Sequence, residues 1–164
     1  MATPSELAIR SATAEDAPLL LTMIHEFAAH VRLSNRVIAT ESQLRQTLFG
    51  PERYADVLLA DWSAEPVGYA VFFPSYSTFR AQPGLFLEDL FVRQAARGRG
   101  VGRALMARVA KVASDRGYGR LEWSTLDWNE AAIGFYCHLG AEAHRGSTIF
   151  GLLGDALSRL ADEV

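Results

Sequence analysis

Cysteine is almost missing from this 164-residue chain: Cys137 is the single one. No intramolecular disulfide can form, and metal sites built on paired cysteines are excluded. No apolar run is long enough for a membrane-spanning helix, and no signal-peptide pattern precedes the first strand candidate, so the expectation is a cytoplasmic protein. An excess of one charge sign is also missing. Sixteen basic residues against nineteen acidic ones leave a net charge of −3, which argues against nucleic acid as the main partner. Internal repeats, low-complexity runs and linkers are absent, so residues 1–164 are expected to form one domain. The length suits a substantial core, and an apolar fraction of 49% fits a globular chain.

The chain is organised around the stretch from Leu85 to Met106. Leu85 to Val92 is apolar on both pleat faces apart from Glu88 and Asp89, the pattern of a buried central strand. Glycines follow at alternate positions, Gly98, Gly100 and Gly102, and then Val101, Leu105, Val109, Val112 and Ala113 recur at helical spacing. The glycines therefore sit where a helix starts, with unpaired N–H groups and the positive end of the helix dipole. Arg97, Arg99 and Arg103 add positive charge, and the whole reads as a cradle for a pyrophosphate. A glycine-rich helix start that merely packs on a strand is the plain alternative; the arginines and the charged pair in the strand favour the ligand. Gly102 is followed by Arg103-Ala104, not the Lys-Ser/Thr of an ATP- or GTP-binding loop. The G-x-G-x-G spacing also departs from the dinucleotide fingerprint.

Arg97-x-x-Gly100-x-Gly102 after Leu-Glu-Asp-Leu-Phe-Val resembles the acetyl-CoA motif of the GNAT N-acetyltransferases. The run Asp127-Trp128-Asn129-Glu130-Ala131-Ala132-Ile133-Gly134-Phe135-Tyr136, followed by Leu139-Gly140-Ala141, is similar to that family's second signature. Within the family the likeness is to the diamine (spermidine/spermine) and thialysine acetyltransferase branch. The resemblance implies an α/β (α+β) fold: a mixed, mostly antiparallel central sheet flanked by helices, with a splayed parallel strand pair at the acetyl-CoA site. It implies acetyl-CoA as co-substrate, no metal, a small-molecule amine acceptor and a homodimer. It places cofactor contacts at Leu90, Phe91, Val92, Arg97, Gly98, Arg99, Gly100, Val101, Gly102, Arg103, Asn129, Ala131, Ala132 and Tyr136. Acceptor contacts fall at His30, Glu88, Glu122, Trp123 and Ser124. Polyamine enzymes carry acidic residues where this chain has His30, Val31 and Arg32, which speaks against a polyamine.

The remaining elements follow from local pattern. Leu7–Arg10 is a short strand, Thr13 with Asp16 caps a helix whose stripe runs from Leu19 to Val31, and Thr40 starts a second helix that ends at Gly50-Pro51. Ala55–Asp61 and Tyr69–Phe73 read as an antiparallel pair, and 74–83 as a loop. Gly117 or Gly119 ends the helix after the cradle, Arg120–Leu126 is a strand, and Asn129 caps a further helix. Strands at Ala141–His144 and Ser147–Leu152 and a helix at Asp155–Ala161 complete the chain.

Acetyl transfer to an amine needs a base, because an amine of pKa about 10.4 is otherwise protonated. It needs N–H donors for the carbonyl oxygen and a proton for the leaving thiolate. By position, Glu88 is either a base or a strand-end charge paired with an arginine; the resemblance favours the base. Partial burial is expected to raise its pKa. Strict alternation sends Asp89 to the opposite face. Tyr136 by itself is an ordinary core aromatic; the resemblance makes it the acid. The backbone N–H groups of Leu90 and Val92 then serve the thioester carbonyl and the pantetheine arm, which Asn129 also bonds. Glu122 and Ser124 share a face and fit either a solvent surface or an acceptor site. His25 reads as an ordinary histidine, and Cys137 as a structural thiol. A protein amine acceptor, or an acyl-CoA sensor without turnover, are the alternative functions.

Overall fold

The computed structural model describes residues 6–144 and 146–164. They fall into two compact units, divided between Leu126 and Asp127.

In the first unit β1 (Leu7–Ser11), β2 (Asp56–Trp62), β3 (Glu65–Ser77), β4 (Gln82–Val92) and β5 (Leu121–Trp123) form one sheet in that order. The first three pairings are antiparallel and β4–β5 is parallel. The helices are α1 (Ala17–His30), α2 (Glu41–Phe49) and α3 (Val101–Asp115). Leu20 and Met23 of α1 pack with Val57, Leu59, Tyr69, Val71 and Phe91 on one face. Alternation puts Leu58, Ala60, Ala70 and Phe72 on the other, the α3 side, where Val101, Leu105, Val109 and Ala113 are also buried. Leu105 is fully buried, so Leu105→Ala should lower unfolding free energy by about 2–5 kcal/mol in urea titration. A loss under about 1 kcal/mol would mean this core is not formed as described.

The local signals act as expected. Thr40 Oγ1 accepts from the Gln43 backbone N–H, opening α2. Asp16 Oδ2 accepts from the Thr13 N–H at 2.8 Å, although a short 3-10 turn, Ala14–Asp16, precedes α1. Gly117 has φ +72° just past the end of α3, and the Tyr118 N–H returns to the Ala113 carbonyl at 2.8 Å.

Three expectations are corrected. Residues 74–83 are mostly strand, because β3 runs to Ser77 and β4 begins at Gln82, leaving a four-residue turn. The strand expected over Arg120–Leu126 holds only for Leu121–Trp123, since the parallel ladder with β4 stops at Leu87–Trp123. The second unit carries α4 (Glu130–His138) and α5 (Gly154–Ala161), but neither Ala141–His144 nor Ser147–Leu152 is a strand. Alternating residues become a strand only against a partner ladder, and among the described residues none pairs with either segment. Arg145, between them, lies outside the described residues.

Candidate active site

The register between β3 and β4 slips inside the stretch that organises the chain. Val71 faces Asp89 and Phe72 faces Leu87, so Glu88 is an extra residue, a β-bulge. The bulge inverts the alternation of β4. Leu85 and Leu87 lie opposite Pro74 and Phe72, on the α3 side, whereas Asp89 and Phe91 lie opposite Val71 and Tyr69, on the α1 side.

This rewrites the expected roles of the two carboxylates. Glu88 is exposed, so the burial expected of it falls on Asp89 instead. The Tyr69 hydroxyl donates to Asp89 Oδ2 at 3.1 Å. Burial pushes the Asp89 carboxyl up from 3.8 to about 6, against the Tyr69 hydrogen bond, and the nearby charge of Glu88 adds to the rise. Burial likewise keeps the Tyr69 phenol protonated. A native acid with a raised pKa holds a proton that the unfolded chain has already lost. Asp89 therefore costs stability as pH climbs from about 4 to 6, and the full cost persists above that window. Asp89→Asn should gain on the order of 1–3 kcal/mol relative to wild type between pH 4 and pH 7 in urea unfolding. Parallel stability curves for the two proteins would contradict the assignment.

The bulge also turns backbone groups outward. The Arg93 N–H donates to Val67 on β3, so the residues alternating with it, Leu90 and Val92, direct their N–H groups away from β3. On that side β5 supplies no rung beyond Leu87–Trp123. The parallel pair thus parts at the bulge, and among the described residues no strand pairs with Leu90 or Val92 on that side. Phe91 differs: it is buried, its ring sits 5.8 Å from Phe27 and 6.0 Å from Tyr69, and its backbone faces β3.

The cradle follows directly. Gly98 and Gly100 have φ +75° and +82°, a region where a side chain is strained, and Gly100 is the residue before α3. No side chain caps α3, so its first N–H groups are available to an anion. The Val101 side chain is buried, leaving only its backbone for a ligand. Arg97 Nε donates to the Val92 carbonyl at 2.8 Å, and the Arg99 guanidinium lies 5.3 Å from the Trp62 ring centre. Gly102 lies in the first turn of α3, and Arg103 on it is exposed. Arg93 anchors the start of this loop, with two hydrogen bonds of 2.8 Å to Glu26 of α1 and one to the Pro66 carbonyl. These features fit a nucleotide-bearing pyrophosphate such as that of coenzyme A.

His30 closes α1; burial, then the Arg97 charge, hold its imidazole below the usual value. Glu122 lies opposite Phe86 in the parallel ladder and pairs with Arg120 at 3.1 Å, Trp123 ends β5, and Ser124 follows it exposed. In the second unit Asn129 Oδ1 accepts from the Ala132 N–H at 3.2 Å and opens α4, with exposed Ala131 in its first turn. Tyr136 stacks at a tilt on Phe135, 5.3 Å between centres, and burial raises its phenol pKa, so it carries its proton at neutral pH. Cys137 is exposed. Sequence reasoning missed the Asp89–Tyr69 contact and the Arg120 side chain; only the Glu88-Asp89 doublet in an apolar strand signalled the first.

Residues 21–141 match the model of the acetyltransferase (GNAT) family. The L-ornithine N5-acetyltransferase of Arabidopsis thaliana is 32% identical over 93% of this chain and 86% of its own length. The thialysine Nε-acetyltransferase of Bos taurus is 34% identical over 93% of this chain and 96% of its own. Among solved structures, an integron cassette protein from the mobile metagenome of Vibrio cholerae aligns with a TM-score of 0.80 at 23% identity, covering 96% of this chain and 99% of its own. An aminoglycoside acetyltransferase from a soil metagenomic sample aligns with a TM-score of 0.75 at 19% identity, over 90% of this chain and 97% of its own.

Proposed function

Because this chain belongs to the acetyltransferase (GNAT) family, we propose that it moves an acetyl group from acetyl-CoA to the side-chain amine of a small lysine-like amino acid or diamine, by direct attack with both substrates bound. It is an N-acetyltransferase, and its family uses acetyl-CoA as co-substrate. The acceptor class rests on relatives that match it along nearly their full length and act on ornithine and thialysine. Each of those acceptors ends in a primary amine on a short aliphatic arm.

The observation that carries the reading is the bulge at Glu88 beside the uncapped start of α3. One feature offers an exposed carboxylate and outward N–H donors; the other offers anion-binding N–H groups. In the proposed reaction Glu88, directly or through water, takes a proton from the acceptor ammonium. The freed nitrogen attacks the thioester carbonyl carbon, forming C–N as C–S breaks. Leu90 and Val92 N–H groups bond the carbonyl oxygen and the pantetheine amides. Tyr136, kept protonated by burial, gives its phenolic proton to the leaving thiolate, and the second proton shed by the newly acylated nitrogen restores the phenol, directly or through water, so that the net proton leaves on Glu88. Gly98 to Arg103 hold the pyrophosphate, while Asn129, Ala131 and Ala132 supply polar contacts to the pantetheine arm. His30, Glu122, Trp123 and Ser124 border the acceptor. The family match runs from residue 21 to 141 and so spans both units, which supports one N-acetyltransferase domain over 1–164.

The test is free-thiol release from acetyl-CoA with ornithine, thialysine, lysine, putrescine, spermidine and a lysine peptide. Release with a short amine is expected. Release with the peptide alone would replace the small-molecule acceptor by a protein.

A homodimer is part of the same proposal. Ile149, Phe150 and Leu153 are 82%, 91% and 85% exposed, along a segment with no strand partner among the described residues. A second chain covering them would explain their composition. Sedimentation equilibrium should give twice the mass of one chain, and Phe150→Glu should shift it toward the single-chain mass. A wild-type monomer at micromolar concentration would overturn this.

No helix among the described residues is long and apolar enough to cross a membrane.

A further inference from the structure

Gly84 of β4 has a neighbour that sequence reasoning did not foresee. A Cβ placed there would meet the Arg120 carbonyl oxygen at 3.0 Å and the Arg120 Cβ and Nε at 3.1 Å. The absence of a side chain at Gly84 therefore lets Arg120 lie across β4. It reaches β3, where Arg120 Nη2 donates to Ser75 Oγ at 3.3 Å; Ser75 is the residue opposite Gly84. Glu122 comes alongside, with Oε2 3.1 Å from Arg120 Nε. That contact is misdirected for a hydrogen bond, and the buried Nε–H has no acceptor among the described residues. The result is a guanidinium fixed on three strands, 23% exposed, and a carboxylate beside it that is 40% exposed.

Next to this pair the sheet offers an apolar floor. The Phe73 and Phe86 rings lie 5.5 Å apart, both half-buried, and Phe86 stands opposite Glu122 in the parallel ladder. Glu88 is two residues further along β4, about 6–7 Å at strand rise. An extended lysine-like side chain spans about 6 Å from Cα to its terminal nitrogen.

We propose that Arg120, Glu122 and Ser75 form a head-group site for the zwitterionic end of an α-amino acid acceptor. Arg120 and Ser75 bind its carboxylate, Glu122 binds its α-ammonium, and the aliphatic arm crosses Phe73 and Phe86 to present the side-chain amine at the bulge. This rests on the transferase reading above and narrows it: amino acids are preferred over diamines of the same length. Charge pairing of the guanidinium with a carboxylate is bidentate where geometry allows and stronger than a neutral contact.

The experiment compares ornithine with putrescine and lysine with cadaverine, pairs that differ by the carboxylate alone. It reads kcat/KM by thiol release and, separately, calorimetric binding to the protein loaded with coenzyme A. Wild type should favour each amino acid on the order of ten- to hundredfold in both readouts. Arg120→Gln should erase the preference by weakening the amino acids while leaving the diamines within about twofold, and Arg120→Lys should restore part of it. The wild-type comparison does not depend on either variant folding. Equal handling of ornithine and putrescine by wild type, or an unchanged preference in a folded Arg120→Gln, overturns the site. A calorimetric preference without turnover of any amine would keep the site and overturn the transferase reading instead.

Discussion

Tyr136→Phe is expected to lower kcat on the order of 10²- to 10⁴-fold while leaving coenzyme A affinity within about twofold of wild type. The phenol is held protonated by burial, the form the proposed proton donation to the thiolate requires. Removing one hydroxyl leaves the ring, and with it the tilted packing on Phe135. The substitution leaves the backbone of Gly98 to Arg103 and the uncapped start of α3 in place. The split between turnover and binding is therefore the signature. Thiol release at saturating acetyl-CoA reads the first quantity and calorimetry the second. Turnover within about threefold of wild type would mean that another group, or water, protonates the thiolate.

Glu88→Gln is the second large effect. At pH 7.4 roughly one amine in a thousand is neutral when its pKa is about 10.4, so a reaction without a base draws on that small fraction. The variant should lose on the order of 10²-fold in kcat/KM at neutral pH. It should then recover about tenfold for each pH unit toward 9, as the amine deprotonates unaided. Glu88 is exposed and its bulge is set by backbone register, so melting temperature should hardly move. Undiminished activity at neutral pH would transfer the role elsewhere. Asp89 is the neighbouring candidate, but its side chain lies on the α1 side, bonded to Tyr69.

Those two carboxylates show what the sequence makes legible and what it does not. The strand, the glycine turn and α3 are local features, carried by apolar period, left-handed glycines and a missing cap, and they were readable in order. So were Thr40 and Asn129 as caps, because a cap acts on N–H groups two or three residues away. The bulge is different. It exists only in the register of β4 against β3, and one slipped residue exchanged the burial of Glu88 and Asp89. Strict alternation fails at such a point, so the environments of the two carboxylates could not be derived from β4 alone. The Arg120 site is less visible still, since it needs Gly84, Ser75 and Glu122 from three strands at once. At Ser147–Leu152 the opposite error occurs: the pattern of a strand is present, but its ladder is not. The family and the glycine turn before α3 were thus open to sequence reasoning, whereas the environments of Glu88, Asp89 and Arg120 depend on tertiary register.

The most direct test of the account is a single turnover with acetyl-CoA labelled in its acetyl group and ornithine in excess. Mass spectrometry then locates the label in both product and protein. Direct transfer predicts all of it on the side-chain nitrogen of ornithine and none on the protein at any time point. Label trapped on Cys137 or another residue, or coenzyme A released without acetylated amine, would contradict it.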